Sequence, residues 1–193
     1  MIDQIKGKQL ILASKSPRRT QLLKGLGLEF ISKVKDVDED FSSEMDVTQV
    51  PQYLAKKKAM AFREELEEND LLITADTVVI IQGEILNKPE NRKEALQMLQ
   101  KLSGNVHQVI TGVCIMDHHK TVLFDDRTEV HFKQLEEEEL LDYIDKFKPY
   151  DKAGAYGVQE WIGYVAVYKM VGSFYNVMGL PIHRIYEELK KWC

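Results

Sequence analysis

Residues 12–19 read Leu-Ala-Ser-Lys-Ser-Pro-Arg-Arg and place three cations and two hydroxyls where an apolar run gives way to a helical pattern. The first turn of a helix carries unpaired amide donors and a partial positive charge, so acidic residues are favoured there and arginines are not. Arg18 and Arg19 suit this position when an anion meets them, because helix N-termini bind phosphate groups. We therefore interpret the segment as a phosphate site.

Asp76 is the strongest candidate for an acid or a base, because it interrupts an apolar strand pattern over residues 71–81. A carboxylate in such surroundings loses hydration unless a cation or a metal ion compensates its charge, and perturbed carboxylates are common at active sites. The alternative is that Asp76 accepts hydrogen bonds from backbone amides at a strand end or a helix cap. Both interpretations fit the sequence.

Two lysines and one glutamate are further candidates. Lys58 belongs to a run of three lysines, and Lys88 precedes Pro89. A solvated helix face explains a lysine run more often than ligand binding does. Glu39 lies in an acidic segment, residues 36–40, whose composition favours solvated surface, although a carboxylate there could also bind a divalent cation.

Other metal and nucleotide motifs are weak or missing. Asp125, Asp126 and Glu129 could supply a metal-binding carboxylate, but period-two alternation favours the solvated face of a hairpin. The sequence has no Gly-x-x-x-x-Gly-Lys-Ser/Thr loop, no Gly-x-Gly-x-x-Gly after a strand and no His-Glu-x-x-His motif. A P-loop NTPase, a dinucleotide oxidoreductase and a zincin are therefore disfavoured.

The elements that must position these residues alternate between strands and helices. Hydrophobic periodicity predicts strands over residues 9–13, 28–34, 71–81, 107–116, 121–132 and 164–171, with a hairpin turn at Gln82-Gly83. Capping and periodicity predict a helix that stops at Gly27, one from a Thr48 cap to about Glu67, and others over 91–104, 136–147 and 181–191. This alternation predicts an α/β fold.

Length and composition predict a single domain over residues 1–193. Of the 193 residues, 44% are hydrophobic and 30% are charged, as in ordinary globular proteins. The formal net charge of -5 disfavours a broad basic surface for nucleic acid, so a cationic site must be local and its ligand small.

Targeting and cysteine usage point to a cytoplasmic protein. The sequence has no apolar stretch of about 18 residues and no export signal, so we expect no membrane contact. Cys114 and Cys193 form neither a disulfide framework nor a paired zinc motif, and we expect both to be free thiols in a reducing compartment.

Four segments, taken in order, resemble the Maf family of nucleoside triphosphate pyrophosphatases across nearly the whole chain. They are residues 12–19, Ala75-Asp76-Thr77, Lys88-Pro89, and a glycine-rich segment, residues 151–159, that reads Asp-Lys-Ala-Gly-Ala-Tyr-Gly-Val-Gln. The forms Ser-Pro-Arg-Arg, Ala-Asp-Thr and Gly-Val-Gln resemble the dTTP/UTP branch rather than the 7-methyl-GTP branch. Two positions depart from the family pattern, since Asn87 and Glu160 each stand where glycine is usual.

The resemblance implies a bent mixed β-sheet flanked by helices, with a deep cleft between two lobes, as in ITPase and Maf proteins. It also implies hydrolysis of dTTP and UTP to the monophosphate and pyrophosphate, with modified pyrimidine triphosphates as further candidate substrates. A divalent cation, Mg or Mn, would be required, and a homodimer is expected.

Site roles follow from the same resemblance, position by position. Asp76 matches the proton acceptor and a metal-binding position, and Glu39 matches an acid near the metal. Ser14, Arg19, Lys58 and Lys88 match polar residues around the triphosphate, whereas Arg18, Thr77 and Gln159 match positions that set base preference. The Gln159 amide suits uracil or thymine, because it offers a donor and an acceptor to O4 and N3–H of the imide.

Two other functions fit the motifs. One is a pyrophosphatase for noncanonical purine triphosphates, and the other is a nucleotide-sensing regulator, since the family is also associated with inhibition of septum formation. The set of Asp76, Lys58, Lys88 and both arginines favours turnover, because a sensor gains nothing from a positioned base.

Overall fold

The protein is described by a computed structural model that covers residue 5 and residues 7–192. Cys193, predicted to be a free thiol, lies outside the described residues. Cys114 is a buried free cysteine, and burial raises the pKa of its thiol to about 12. No helix in the described part of the chain is long and apolar enough to cross a membrane.

Strands and helices alternate along the chain. The strands are β1 Gln9–Ala13, β2 Ile31–Lys33, β3 Asp70–Ile81, β4 Glu84–Leu86, β5 Val106–Met116, β6 Thr121–Phe132 and β7 Val167–Val171. The helices are α1 Pro17–Lys24, α2 Val50–Met60, α3 Arg92–Leu102, α4 Glu137–Phe147, α5 Trp161–Ala166, α6 Phe174–Val177 and α7 Ile182–Leu189. Short 3-10 helices cover Arg63–Glu65, Ala153–Ala155 and Lys190–Trp192.

Within the described residues, the strands form one mixed sheet of seven strands in the order β2-β1-β3-β5-β6-β7, with β4 paired to β3. β1 runs parallel to β2 and β3, whereas β4 is antiparallel to β3 and β7 is antiparallel to β6. Gln82 and Gly83 both have positive φ, which suits a tight hairpin between β3 and β4. The predicted α/β class with a mixed sheet is confirmed.

The chain divides into two compact units. Unit one comprises the described parts of Met1–Asp76, Thr111–Asp126 and Gly179–Cys193, and unit two comprises Thr77–Ile110 and Arg127–Met178. Within β3 the division falls between Asp76 and Thr77. That residues 1–193 act as a single domain stays a prediction.

In unit one, the core fixes the position of α2. Ala55 and Ala59 of this helix are fully buried with Leu72 of β3 in one apolar cluster. A Cβ atom on Gly112 of β5 would lie 2.3 Å from backbone atoms of Pro51 and Gln52, so the α2 backbone approaches this strand more closely than any side chain would allow. The helix therefore has little freedom to shift.

In unit two, α3 and α4 bury their apolar faces in one cluster that includes Leu99, Leu102, Leu140 and Ile144. The predicted start of α3 is confirmed, because the Asn91 side chain accepts a hydrogen bond from the backbone N–H three residues later. The same cluster includes Ala155 and Tyr156, so these helices support the glycine-rich segment.

The predicted start and end of the second helix are wrong. Thr48 is not its cap, because the backbone N–H and the hydroxyl of Thr48 both donate to the Asp46 carboxylate, at 2.8 and 2.9 Å. The helix begins at Val50 after Gln49 and ends at Met60. Pro51 does lie in its first turn, as expected.

Three other boundaries differ from the predictions. α1 ends at Lys24 rather than at Gly27. β2 covers only Ile31–Lys33, because its partner β1 ends at Ala13, opposite Lys33. The predicted strand over 164–171 begins only at residue 167. Residues 161–166 form α5 instead, since Ile162 and Ala166 are buried at the four-residue spacing of a helix face.

Candidate active site

Asp76 lies buried in the middle of β3 in unit one. The Lys58 ammonium on α2 donates a hydrogen bond to its Oδ1 over 2.6 Å. The close approach depends on the α2 packing described above, because Ala55 and Ala59 on either side of Lys58 bury against the sheet. The structure thus gives this carboxylate a cationic partner.

Burial raises the pKa of the Asp76 carboxyl above its ordinary value, while the positive charges of Lys58 and Arg19 oppose that rise. The nearby Glu39 carboxylate adds to it by repulsion. A carboxylate with a raised pKa holds a proton more firmly, which brings it closer to the strength a general base needs near neutral pH.

Glu39 reaches the same ammonium from the acidic segment, with its Oε1 2.7 Å from Lys58 Nζ. Two carboxylates, one buried and one half-exposed, therefore converge on one cation. Hard divalent cations take oxygen ligands, and Mg²⁺ commonly uses one or two carboxylates together with water and substrate phosphates. This donor pair fits such an ion, although no group of three or more His, Cys, Asp or Glu is arranged as a metal centre in the described residues.

Arg19 is held in a fixed orientation by backbone carbonyls. Its Nε donates to Gly179 O and its Nη1 donates to Ala75 O, both at 2.8 Å. Burial lowers the pKa of Arg19, and the adjacent Asp76 partly restores it. Since arginine stays protonated in proteins, the result is a preoriented positive charge beside the carboxylate.

The start of α1 is built as the sequence predicts. Pro17 opens the helix, Arg18 and Arg19 occupy its first turn, and the first turn contains no acidic residue. Ser16 caps the helix by accepting from the Arg19 backbone N–H at 3.4 Å, and the Ser14 hydroxyl accepts from the Ser16 backbone N–H at 3.1 Å. Cations therefore stand where the helix dipole favours an anion.

The acidic segment makes ion pairs that sequence reasoning missed. Asp36 pairs with Lys15, and Asp40 pairs with Lys57 on α2, in addition to the contact between Glu39 and Lys58. Asp36 and Asp40 remain largely exposed, so these two pairs contribute little to stability. The segment is both solvated, as its composition indicates, and anchored next to the basic residues of unit one.

The remaining predicted site residues belong to unit two. Thr77 is partly buried in β3, and Lys88 is exposed before α3. The backbone N–H of Gly154 donates a hydrogen bond over 3.1 Å to the carbonyl of Asn87, the residue before Lys88. This bond joins the chain next to Lys88 to the glycine-rich segment. The Gln159 Oε1 atom is buried and accepts no hydrogen bond from the described residues.

A second charged cluster in unit two includes residues that the sequence did not mark for a site. Glu160 contacts the Tyr143 hydroxyl and the Lys152 ammonium. Lys152 lies within the glycine-rich segment, and the sequence marked Glu160 only as a departure from the family pattern. Nothing in the sequence pairs Tyr143 with either residue.

Comparisons with known proteins identify the relatives of this chain. A model of the Maf-like protein family matches residues 9–192. The chain is 50% identical over 193 residues to a protein of Porphyromonas gingivalis named dTTP/UTP pyrophosphatase, covering 98% of this chain and 97% of that one. It is 49% identical over 191 residues to a protein of the same name from Parabacteroides distasonis, covering 98% and 99%.

A solved structure of the Ham1 protein from Staphylococcus aureus superposes with a TM-score of 0.53 at 17% identity, covering 94% of this chain and 100% of that one. The likeness shows a shared fold. The family match and the relatives at about half identity confirm the resemblance that the motifs predict. The chain belongs to the family of Maf-like proteins.

Proposed function

We propose that this protein is a nucleoside triphosphate pyrophosphatase that hydrolyses dTTP and UTP to the monophosphate and pyrophosphate. The observation that carries the proposal is the buried Asp76 carboxylate, with a raised pKa, beside the Lys58 ammonium and the oriented Arg19 guanidinium. Relatives at 50% and 49% identity over nearly the whole chain bear the name dTTP/UTP pyrophosphatase, which supports the choice of substrate.

In the proposed reaction, Asp76 accepts a proton from water as the water oxygen bonds to the α phosphorus. The bond between that phosphorus and the oxygen bridging to the β phosphate breaks, and pyrophosphate leaves with the electron pair. The nucleoside monophosphate is the other product, and no covalent enzyme intermediate is needed. Asp76 returns its proton to solvent before the next turnover.

The basic residues would offset the charge of the triphosphate. Arg19 is already oriented by two backbone carbonyls, so little side-chain entropy is lost when it meets an oxygen of the substrate. Lys58 would exchange part of its contact with Glu39 for a phosphate. Ser14 and Lys88 are assigned to the phosphates as well, on the resemblance of their motifs to the family pattern.

Glu39 and Asp76 would hold a divalent cation, Mg or Mn. Their two carboxylates already converge on one positive charge, which is the chemistry such an ion requires. When bound, the cation would neutralise phosphate charge and polarise the phosphoryl group.

Base selection is assigned to Gln159, Thr77 and Arg18. The buried and unpartnered Gln159 Oε1 supports this assignment, because a buried acceptor without a donor is costly until a ligand supplies one. The N3–H of uracil or thymine is such a donor, and the amide NH₂ of the same side chain suits O4. Cytosine has no N–H at N3, so this contact would favour uracil and thymine over cytosine.

We also propose that the enzyme is a homodimer that acts in the cytoplasm, where nucleoside triphosphates are made and used. The homodimer follows from the family resemblance. Light scattering coupled to size exclusion would give twice the chain mass of 22.3 kDa if this is correct, and the chain mass itself if it is not.

A nucleotide panel tests the proposed activity. The purified protein is incubated with dTTP, UTP, CTP, dCTP, ATP, GTP, ITP and XTP, with and without Mg²⁺ or Mn²⁺, and released pyrophosphate is measured. We expect pyrophosphate from dTTP and UTP, and only when the cation is present. Release from ITP and XTP alone would indicate a purine pyrophosphatase, and tight UTP binding without release would indicate a sensor.

A further inference from the structure

The two carboxylate oxygens of Glu160 bind two different elements of unit two. Oε2 accepts a hydrogen bond from the Tyr143 hydroxyl on α4, and Oε1 lies 3.0 Å from the Lys152 ammonium in the glycine-rich segment. The side chain of Glu160 is 18% exposed and that of Lys152 is 10% exposed, so this pair is largely removed from water. Lys152 also pairs with Asp151 over 2.7 Å, but the Asp151 side chain is 58% exposed, so Glu160 is the less hydrated of its two partners.

The same cluster also closes the turn that carries Gln159. The Gly157 backbone N–H donates to the Tyr143 hydroxyl over 3.1 Å, and the Glu160 backbone N–H donates to Gly157 O over 2.9 Å. A Cβ atom on Gly157 would lie 2.8 Å from the Glu160 carboxyl carbon, so this carboxylate packs directly on the backbone of the turn. Residues 157–160 are therefore held by the side chains of Tyr143 and Glu160.

Glu160 is not needed in this position to cap a helix. It is the residue before α5, but its side chain makes no capping hydrogen bond to that helix. Tyr143 stays a hydrogen-bond donor over the whole working pH range, because burial and the hydrogen bond to Glu160 both raise the pKa of its hydroxyl. The ring of Trp161 stacks on that of Tyr143 from the start of α5 and adds to the rigidity of this corner.

Gln159 lies between Gly157 and Glu160, and its buried Oε1 has no partner among the described residues. Because no hydrogen bond from the described residues holds that oxygen, its direction depends on the backbone on either side and on the packing around the side chain. We propose that Glu160 is a positioning residue for base selection: by joining Tyr143 and Lys152 across the turn, it holds the Gln159 amide ready for the imide edge of a pyrimidine. This inference rests on the proposed function and names what sets its specificity.

Three variants test the inference, with Glu138→Gln as the matched control because Glu138 is an exposed glutamate on α4. Glu160→Ala removes both contacts of the carboxylate. Glu160→Gln keeps an oxygen acceptor for Tyr143 but loses the charge opposite Lys152. Tyr143→Phe removes the hydroxyl that joins Glu160 to Gly157. For each variant, kcat and KM are measured for dTTP, UTP and dCTP, together with Tm.

We expect Glu160→Ala to raise KM for dTTP and UTP about 10-fold or more, and to reduce the preference over dCTP by a similar factor, with kcat changed less than about 3-fold. Glu160→Gln and Tyr143→Phe should each give part of this loss. The double variant Tyr143→Phe/Glu160→Ala should resemble Glu160→Ala alone, because both changes break one network. Glu138→Gln should match the wild type.

The outcomes separate this inference from the function on which it rests. If the wild type releases no pyrophosphate from any nucleotide, the proposed function fails and the inference fails with it. If the wild type is active and folded Glu160 or Tyr143 variants keep its KM and base preference, with only Tm lowered, the cluster is structural and the inference alone is overturned. If Glu160→Ala does not fold, the same comparison is decided by Glu160→Gln and Tyr143→Phe.

Discussion

The Lys58 ammonium lies 2.6 Å from Asp76 Oδ1, although the two residues are 18 positions apart and belong to a helix and a strand. The contact places a positive charge against a carboxylate whose pKa burial raises. It therefore favours the ionised form of Asp76 against the effect of burial, and only the ionised form can accept a proton from water.

Lys58→Met should move the acid side of the pH profile. Removing the ammonium takes away the charge that lowers the pKa of Asp76, so that pKa rises further and the base becomes protonated at a higher pH. The midpoint of the acid limb of kcat/KM should shift upward, and KM should rise as a phosphate contact is lost. Lys56→Met is the control, because Lys56 is exposed on the same helix. An unshifted limb would mean that Asp76 does not control the profile.

Arg19→Lys should weaken both binding and stability. Lysine cannot donate to Gly179 O and Ala75 O from one planar group, so at least one of these carbonyls loses its donor. We expect the free energy of unfolding to fall by about 1–3 kcal/mol and KM to rise about 10-fold or more. Denaturant unfolding and steady-state kinetics measure the two effects. Lys24→Ala, at an exposed position in the last turn of α1, should change neither. Wild-type values for Arg19→Lys would contradict the assigned role.

Glu39→Gln should weaken the response to the divalent cation. The amide keeps the shape of the side chain but loses the charge that favours a hard cation. The Mg²⁺ or Mn²⁺ concentration for half-maximal activity should rise about 10-fold or more, while the rate at saturating cation changes much less. Asp40→Asn is the control, because Asp40 lies in the same acidic segment as Glu39 but pairs with Lys57 of α2. An equal shift in both variants would show a general charge effect rather than a ligand.

Gly112→Ala should disturb the site from a distance. The added methyl group would lie 2.3 Å from the backbone of α2, so the helix carrying Lys58 must move. Overpacking of this kind costs about 1–3 kcal/mol of stability, and we expect kcat/KM to fall as the contact between Lys58 and Asp76 lengthens. Gly25→Ala is milder, since its nearest contact would be 3.1 Å and its φ is not positive. Thermal unfolding and kinetics of both variants test the ranking.

Local chemistry made several parts of the fold predictable. The cationic start of α1, the hairpin at Gln82-Gly83 and the Asn91 cap each follow from residue types within four positions of one another. α5 was missed because exposed Trp161 and Tyr164 obscure its short apolar face. Thr48 was misassigned because Asp46 offered its hydroxyl a closer partner than the helix did.

The site itself was only partly predictable. The motifs singled out Asp76, Lys58 and Glu39 separately. That the two carboxylates meet at the Lys58 ammonium depends on how α2 packs against the sheet. The contact between Tyr143 and Glu160 could not be foreseen, because it joins a helix face to a turn through tertiary packing alone. Residue types identify candidates for chemistry, whereas packing decides which of them meet.

Asp76→Asn gives the most direct test of the central claim, with dTTP binding by calorimetry and pyrophosphate release measured on the same preparation. Asparagine is nearly the same size and can still accept a hydrogen bond from Lys58, but it cannot take a proton from water. We predict binding within about 10-fold of the wild type and kcat lower by about 100-fold or more, as expected when a general base is removed. Turnover near the wild-type rate with the cation present would contradict the assignment of Asp76 as the base.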